Sequence, residues 1–407
     1  MKVLLINKFL YPKGGDAVVT LETGKLLEKN GDKVVYWGMQ HELNPVYKHS
    51  GKFVSNIDFN AGKLGVGRKI KAITDIWYSF EAKSKVEKVV VEEKPDIVHL
   101  NNFAHQISPS VIDIFKKYSI PVVMTMHDYK LVCPAYSMLS GGRPCEKCKD
   151  GKYFNCLLNK CTKGSMFKSL VNTAEMYLHH NIMHIYDYVK CYISPSRFMF
   201  DKVKEMGLQG RVEYLPNFID LSEYEIPAGA GTLHEPLILY VGRLSSEKGV
   251  MTLVKAAIKS GIRTELAGDG PLRKELEGVI SNSRAGNVKL LGFLSRREVL
   301  DKIRQAAVTV MPSECYENNP RAVLESFALG TPVIGSRIGG IPELVVDNLT
   351  GWTYEPFNPD ALAVVMKTVL MDSSKLMEYG INARNMVEEK FDSKKFISRL
   401  KDIYASV

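Results

Sequence analysis

Two carboxylates, Glu317 and Glu325, bracket the segment Glu-Asn-Asn-Pro-Arg-Ala-Val-Leu-Glu. Asn319 reads as a helix N-cap, Pro320 as the first helical residue and Gly330 as the stop. The helix is almost wholly apolar, so burial is expected. Glu325 nevertheless lies beyond the turn in which the helix dipole stabilises an anion, and an ionised carboxylate in such a place needs a partner. Within the chain that partner is Arg321, four residues earlier, in the less favourable order of Arg before Glu. From outside, the vicinal hydroxyls of a ribose would donate two hydrogen bonds to Glu325. Glu317, on the preceding loop, can do the same for a sugar ring.

Gly242-Arg243-Leu-Ser-Ser-Glu-Lys248-Gly249 follows a strand and opens a helix. Glycines let backbone amides approach an anion, and a helix N-terminus favours negative charge. Arg243 adds a bidentate fork and Lys248 a point charge, and both suit a diphosphate. Spacing alone also allows a plain strand-to-helix turn with two surface cations. Gly268-Asp269-Gly270-Pro271 and Gly339-Gly340 are further strand-end turns that read equally well as simple β-turns. The sequence contains no Asp-x-Asp, so no obvious metal–diphosphate site. Arg243, Lys248 and the helix start near Pro320 would replace the metal electrostatically.

Five of the seven cysteines, Cys133, Cys145, Cys148, Cys156 and Cys161, fall within residues 133–161, directly after His127-Asp128. A Cys-x2-Cys followed by Cys-x4-Cys offers four thiolates, Cys145, Cys148, Cys156 and Cys161, to a structural zinc, with Cys133 as an alternate. The seven-residue spacer is short for a zinc ribbon, and a loop of reduced thiols is the other reading. Lys147, Lys149, Lys152, Lys160 and Lys163 would suit a lipid diphosphate or a membrane surface.

The elements that must position these residues repeat. A strand at 2–7, a glycine loop at 12–15, a helix at 17–29 and a strand at 33–37 open the chain. Strands at 97–100 and 122–125 follow, with helices at 81–93 and 108–118. The pattern restarts with a strand at 237–241, a loop at 242–249, a helix at 250–259 and strands at 263–267, 288–291, 308–311 and 332–334. Such alternation predicts α/β architecture with parallel sheets. Two Rossmann-like domains facing a central cleft are therefore expected: 1–224 with the cysteine-rich insert, 225–390, and a C-terminal helix at 391–407 packing back on the first domain. The stretch from Glu225 to Pro236 reads as the linker. Every motif above falls at a strand's carboxyl end, where open α/β sheets bind ligands.

The chain of 407 residues carries a net charge of +9, all of it within residues 1–220. A basic half beside a neutral half points to an anionic partner, and anionic lipid fits Lys63, Arg68, Lys69 and Lys71, and again Lys83, Lys85 and Lys88. A solvated lysine-rich surface is the alternative. No nucleic-acid-binding motif is present. The short apolar start ends at Asn7 and Lys8, and no apolar run approaches the length of a bilayer. A cytoplasmic location is expected, peripheral on the inner face of the cell membrane.

Taken together, the motifs resemble the retaining, metal-independent glycosyltransferases of the two-domain GT-B fold, the group-1 type numbered family four. Gly242-Arg243…Glu247-Lys248-Gly249 is similar to the family's diphosphate loop, and Ala267-Gly-Asp-Gly-Pro271 to its second glycine turn. Glu317 and Glu325 resemble the Glu-x7-Glu pair, Gly14-Gly15 the first loop, and His127-Asp128 the cleft histidine. Ser194-Pro-Ser196 and Leu215-Pro216-Asn217 also fit. The likeness spans nearly the whole chain, in the family's order. It implies that Arg243 and Lys248 hold the donor diphosphate and stabilise the leaving group. Glu325 would bind the ribose, Glu317 with the backbone near Asn318 and Asn319 the transferred sugar, and the region of Phe293 the nucleobase. Gly242, Gly270 and Gly15 would let the backbone approach the donor. Gly14, His127 and Asp128 would lie toward the acceptor. The implied donor is a UDP- or GDP-sugar and the implied acceptor a glycan or lipid-linked oligosaccharide, in cell-surface polysaccharide assembly. No catalytic cofactor is implied, and retention would proceed by front-face attack without an enzyme nucleophile. Asn318-Asn319-Pro320 replaces the family's frequent Gly-Phe-Gly, which leaves sugar specificity open. Polysaccharide-assembly members carry a similar cysteine-rich insert. A nucleotide-sugar 2-epimerase of the same fold and a non-catalytic nucleotide-sugar-binding partner remain alternatives. The first would need acid/base carboxylates in the first domain, and none is identified.

Overall fold

The computed structural model describes all residues except 57–65, 106 and 226–234, and only the backbone of 66–70 and 72. The linker expected at 225–236 and Lys63 thus fall largely outside the described residues, as do the side chains of Arg68 and Lys69. The chain divides into two compact units. The first comprises Met1–Gly141, Cys145–Leu215 and Ile397–Val407, the second Gly142–Pro144 and Pro216–Phe396.

Among the described residues each unit holds one six-stranded parallel sheet. In the first unit the strands are β1 (Lys2–Ile6), β2 (Lys33–Trp37), β3 (Ile97–Leu100), β4 (Val122–Thr125), β5 (Val189–Ser194) and β6 (Val212–Tyr214), in the order β2-β1-β3-β4-β5-β6. In the second they are β7 (Glu235–Val241), β8 (Thr264–Ala267), β9 (Val288–Gly292), β10 (Ala306–Met311), β11 (Val333–Ser336) and β12 (Gly351–Tyr354), in the order β9-β8-β7-β10-β11-β12. The β3, β4 and β10 strands are buried at every position, as expected of a parallel sheet covered on both faces. Alternation along β7 shows the layering. Leu237 and Leu239 join one apolar cluster with Val323, Leu324 and Phe327, whereas Ile238 and Tyr240 join another with Val250, Val254 and Ala257.

Two expectations need correction. The Arg321–Ala328 helix takes Pro320 as its N-cap, not Asn319, and no side chain caps it, because the proline's ψ of 116° is extended. The first helix runs Gly15–Lys29, so Gly15 is its first residue and not part of the loop. The compact units part after Leu215, and Ile219 and Tyr224 are fully buried in the second unit's core. The C-terminal residues 397–407 belong to the first unit. There the Tyr404 hydroxyl meets His99 Nδ1 at 2.7 Å and Lys401 pairs with Asp32 at 2.8 Å.

Candidate active site

The second unit gathers its motif residues at the carboxyl ends of β7 to β11. Three glycine turns interlock there. Gly242 N–H donates to the Ala267 carbonyl, Leu244 N–H to that of Asp269, and Gly268 N–H to that of Gly292. A Cβ on Gly268 would lie 1.8 Å from the Gly242 oxygen, and one on Gly270 2.4 Å from the Leu244 oxygen. Gly249 has φ +64° and its Cβ would lie 1.8 Å from the Pro312 oxygen. These glycines are therefore required by backbone packing, whatever else approaches them.

Lys248 and Glu317 form an ion pair with Nζ–Oε1 at 2.5 Å. The Ser313 hydroxyl donates to the same oxygen at 2.6 Å, and Gly340 N–H donates to the Glu317 carbonyl at 2.7 Å. Burial opposes ionisation of Glu317, but Lys248 and Ser313 outweigh it and hold the carboxyl below its ordinary pKa. Burial likewise opposes the charge on Lys248, and Glu317 reverses that and raises its pKa. Both shifts favour the charged pair. The residues expected to serve phosphate and sugar separately thus already answer one another.

Glu325 has partners that its own neighbourhood in sequence does not reveal. Arg321 Nε donates to Oε1 at 2.9 Å and the Tyr224 hydroxyl at 3.1 Å, and Arg296 lies 3.9 Å away. Arg296 in turn donates to the Tyr224 hydroxyl at 2.9 Å. Asn319 is buried and its carbonyl accepts from Asn217 Nδ2 at 3.0 Å, while its own Oδ1 is buried without a hydrogen bond. Phe293, just past β9, is 84% exposed, a bare aromatic face. Tyr224 and Arg296 went unnamed from sequence, because neither lies in a motif.

The first unit assembles a second polar cluster beyond β1, β3 and β4. Asn102 Nδ2 donates to Asp16 at 2.6 Å, and Asn7 Oδ1 accepts from Asn102 N–H at 2.9 Å. His127 Nε2 faces Asn101 Oδ1 at 2.9 Å, so Nε2 carries hydrogen and Nδ1 is the basic nitrogen. Burial lowers the pKa of His127 against the pull of Asp16 and Asp128, which keeps the ring neutral. Burial also lowers that of Lys8, again opposed by Asp128 and Asp16. Asp128 Oδ1 accepts from Lys130 N–H at 2.9 Å. Gly14, with φ near −167°, is the N-cap of the first helix, and a Cβ on Gly15 would meet nothing within 4 Å. Packing therefore does not demand glycine at 15. Lys8, Asp16, Asn101 and Asn102 were missed from sequence. Their only signal is position at strand ends and, for Asp16, in the first turn of the first helix.

In the cysteine-rich insert all five thiols are free. Burial pushes Cys133 up to about 11 and Cys148 up to about 12. The Cys161 thiol hydrogen-bonds the Cys156 sulfur, so Cys156 ionises more readily than an ordinary thiol and Cys161 less. Cys133 lies within electrostatic reach of Cys148, Cys156 and Cys161, and Cys145 within reach of Cys148. Among the described residues no three of these thiols all lie within 4.8 Å of one another. The donor chemistry suits zinc, and the spacing is wider than a closed tetrahedral site. Among the described residues, no helix is long and apolar enough to cross a membrane.

Comparison with known proteins places this geometry. Residues 13–223 match the family model "Glycosyltransferase Family 4" and residues 226–386 the model "Glycosyl transferases group 1". An uncharacterised 42.6 kDa protein in the cps region of Klebsiella pneumoniae is 25% identical over 354 residues, 84% of this chain and 87% of that one. Sucrose-phosphate synthase from Thermosynechococcus elongatus superposes with a TM-score of 0.72 at 20% identity, covering 100% of this chain and 98% of that one. Anabaena HepE in complex with UDP and glucose superposes with a TM-score of 0.70 at 17% identity, covering all of both chains. With the first family model spanning more than half of its residues, the chain belongs to glycosyltransferase family 4, and its likeness to these structures shows the GT-B fold.

Proposed function

We propose that this glycosyltransferase moves a sugar, with retention, from a UDP- or GDP-sugar to a glycan or lipid-linked acceptor in cell-surface polysaccharide assembly, working peripherally on the inner face of the cell membrane. The observation that carries the reading is the Lys248–Glu317 pair, held at 2.5 Å beside interlocked glycine turns. An ammonium in that position, with Arg243, answers a diphosphate and stabilises it as it leaves. Glu317 is committed to Lys248 and Ser313 and is held ionised, so it serves as an acceptor for a sugar hydroxyl rather than as a nucleophile. In the front-face step the acceptor oxygen bonds to the anomeric carbon as the bond from that carbon to the diphosphate breaks. The acceptor proton passes to the departing phosphate oxygen. Arg243 and Lys248 meet the developing charge without a metal. Glu325, whose Oε1 takes Arg321 and Tyr224, binds the ribose, and Phe293 stacks on the base. In the first unit, the open backbone at Gly15 lets the donor approach, and neutral His127 lies near the sugar and the acceptor hydroxyl. Support for UDP comes from the bound nucleotide of Anabaena HepE, and support for polysaccharide assembly from the cps region of the Klebsiella relative. In the insert, Cys145, Cys148, Cys156 and Cys161 are proposed to hold a structural zinc, which would draw them closer than they stand here.

A thermal-shift panel of nucleoside diphosphates and nucleotide sugars tests the donor reading, since a ligand bound to the folded state raises its melting temperature. UDP or GDP and one cognate sugar should stabilise the protein, and Phe293→Ala should weaken that response about tenfold. Indifference to the entire panel would sink the proposal. Release of nucleoside diphosphate only with acceptor present separates transfer from 2-epimerisation.

A further inference from the structure

The Met166–Tyr177 helix turns a largely polar face inward. Its buried residues include Ser169, Asn172, Thr173 and Glu175, whereas Met166, Phe167 and Leu170 are 59%, 62% and 48% exposed. The polar face has a reason. Ser169 Oγ accepts from Thr162 N–H at 3.0 Å, Asn172 Nδ2 donates to the Pro134 carbonyl at 3.2 Å, and Glu175 pairs with Lys130 at 2.7 Å. The helix thus satisfies backbone groups of the insert, the Thr162 N–H and the Pro134 carbonyl, that no strand partner takes up. Val171 and Met176 are buried beside these polar groups, whereas Met166, Phe167 and Leu170 are left outside, in one stripe at i, i+1 and i+4. The neighbouring Phe154–Leu158 helix packs against it and exposes Phe154 and Leu158, a second i, i+4 pair. A cluster of large apolar groups facing water marks an interaction surface.

Charge selects the occupant. Between Gly151 and Ala174 the sequence has four lysines, Lys152, Lys160, Lys163 and Lys168, and no acid. Exposed Phe, Leu and Met ringed by lysine are suited to the boundary between anionic headgroups and acyl chains. A protein partner recognised by the same patch would need a matching acidic rim, whereas an anionic bilayer supplies one everywhere.

We infer that the Phe154–Leu158 and Met166–Tyr177 helices form a membrane-docking surface, with Phe154, Leu158, Met166, Phe167 and Leu170 entering the interface of an anionic bilayer and the flanking lysines meeting its headgroups. The inference rests on the membrane-peripheral part of the proposed function, and names the surface responsible.

Co-sedimentation of the full chain with vesicles tests it, using phosphatidylcholine alone and phosphatidylcholine mixed with phosphatidylglycerol. The protein should bind the mixed vesicles and leave the neutral ones. Leu158→Ser with Phe167→Ser should lower binding at least about tenfold, because affinity follows buried apolar area. Lys152→Gln, Lys160→Gln and Lys168→Gln together should lower it about a hundredfold, at roughly fivefold per lysine. Stabilisation by nucleoside diphosphate should be unchanged in both variants, which shows that the fold is intact. Wild-type protein that ignores anionic vesicles, or a Leu158→Ser/Phe167→Ser variant that binds like wild type, overturns the inference. So does a dimer in solution that Phe167→Ser dissociates, which would assign the patch to a second copy. Vesicle binding without any response to nucleotide would instead remove the transfer reading and leave the docking surface standing.

Discussion

The Lys248–Glu317 pair should behave as one unit in a double-mutant cycle. Breaking a fully buried ion pair by removing one partner costs about 3–5 kcal/mol, whereas an exposed pair is worth about 0–1. These side chains are 29% and 12% exposed, so the pair sits between the limits. Glu317→Gln and Lys248→Met should each cost about 2 kcal/mol, which lowers melting by about 4–8 °C for a unit of this size. The double variant should lie within about 1 kcal/mol of wild type, because neither charge is then stranded. Denaturant unfolding monitored in the second unit gives the cycle. The sign of the pH dependence follows from the two shifts. Glu317 has a depressed pKa, so its contribution is complete above the 4.5 of a free glutamate and is lost as pH falls through the folded value beneath it. Lys248 has a raised pKa, so its contribution is complete below 10.5 and is lost as pH climbs through the folded value above it. The gap between wild type and either single variant should therefore be flat across the neutral range and close in acid. Ligand binding adds an independent arm. Glu317→Gln frees an ammonium and should keep nucleoside diphosphate binding while losing sugar transfer, whereas Lys248→Met should lose both. Single effects that add to within about 0.5 kcal/mol, or a Glu317→Gln variant as stable as wild type, would refute the coupling.

The glycines divide into two kinds. Gly249→Ala should destabilise by at least about 2 kcal/mol, through its left-handed backbone and the collision with Pro312. Gly15→Ala, with nothing near its Cβ, should leave unfolding within about 0.5 kcal/mol of wild type and yet cut turnover at least tenfold; full activity would remove the close-approach role. For His127, burial lowers the pKa, so the acid limb of kcat/KM should lie below the ordinary 6.5 and disappear in His127→Asn. A limb at or above 6.5 would count against a neutral ring. For the cysteine cluster, metal analysis of protein purified without added metal should find about one zinc per chain. Chelation should lower the melting temperature of the first unit, and Cys148→Ser with Cys156→Ser should abolish both the metal and that response. A zinc-free, fully folded protein would leave the insert as a loop of reduced thiols.

Much of the second unit's polar site was legible because local chemistry specifies it. A buried strand ending in Gly-Arg and reaching Lys-Gly is short enough for spacing to reveal, and so is an Arg321–Glu325 pair one helical turn apart. What spacing concealed was the pairing across the sheet. Lys248 follows β7 and Glu317 follows β10, and only the order β9-β8-β7-β10-β11-β12 makes those strands neighbours. Tyr224 reached Glu325 unannounced for a related reason. Its segment reads as the end of the first domain, and its full burial in the second unit's core is a tertiary fact. In the first unit, Lys8 follows β1, Asp16 lies in the first turn of the first helix, and Asn101 and Asn102 follow β3, and no motif joins them.

The Met166–Tyr177 helix shows a deeper limit. Reading apolar periodicity assumes that the core is oil, so that Met166, Phe167 and Leu170 would be turned inward. That assumption fails wherever a helix covers irregular backbone, because unpaired peptide groups cost more to bury than methylenes gain. Here the helix must answer the Thr162 N–H and the Pro134 carbonyl while Glu175 holds Lys130 beneath it, and the polar side wins the interior. The apolar side then needs another solvent. A long insert with little strand pairing, followed by a helix whose small polar residues share one face, is therefore a readable sign that large apolar side chains of the helix point out. In this chain the lysines between 152 and 168 indicate what that face meets.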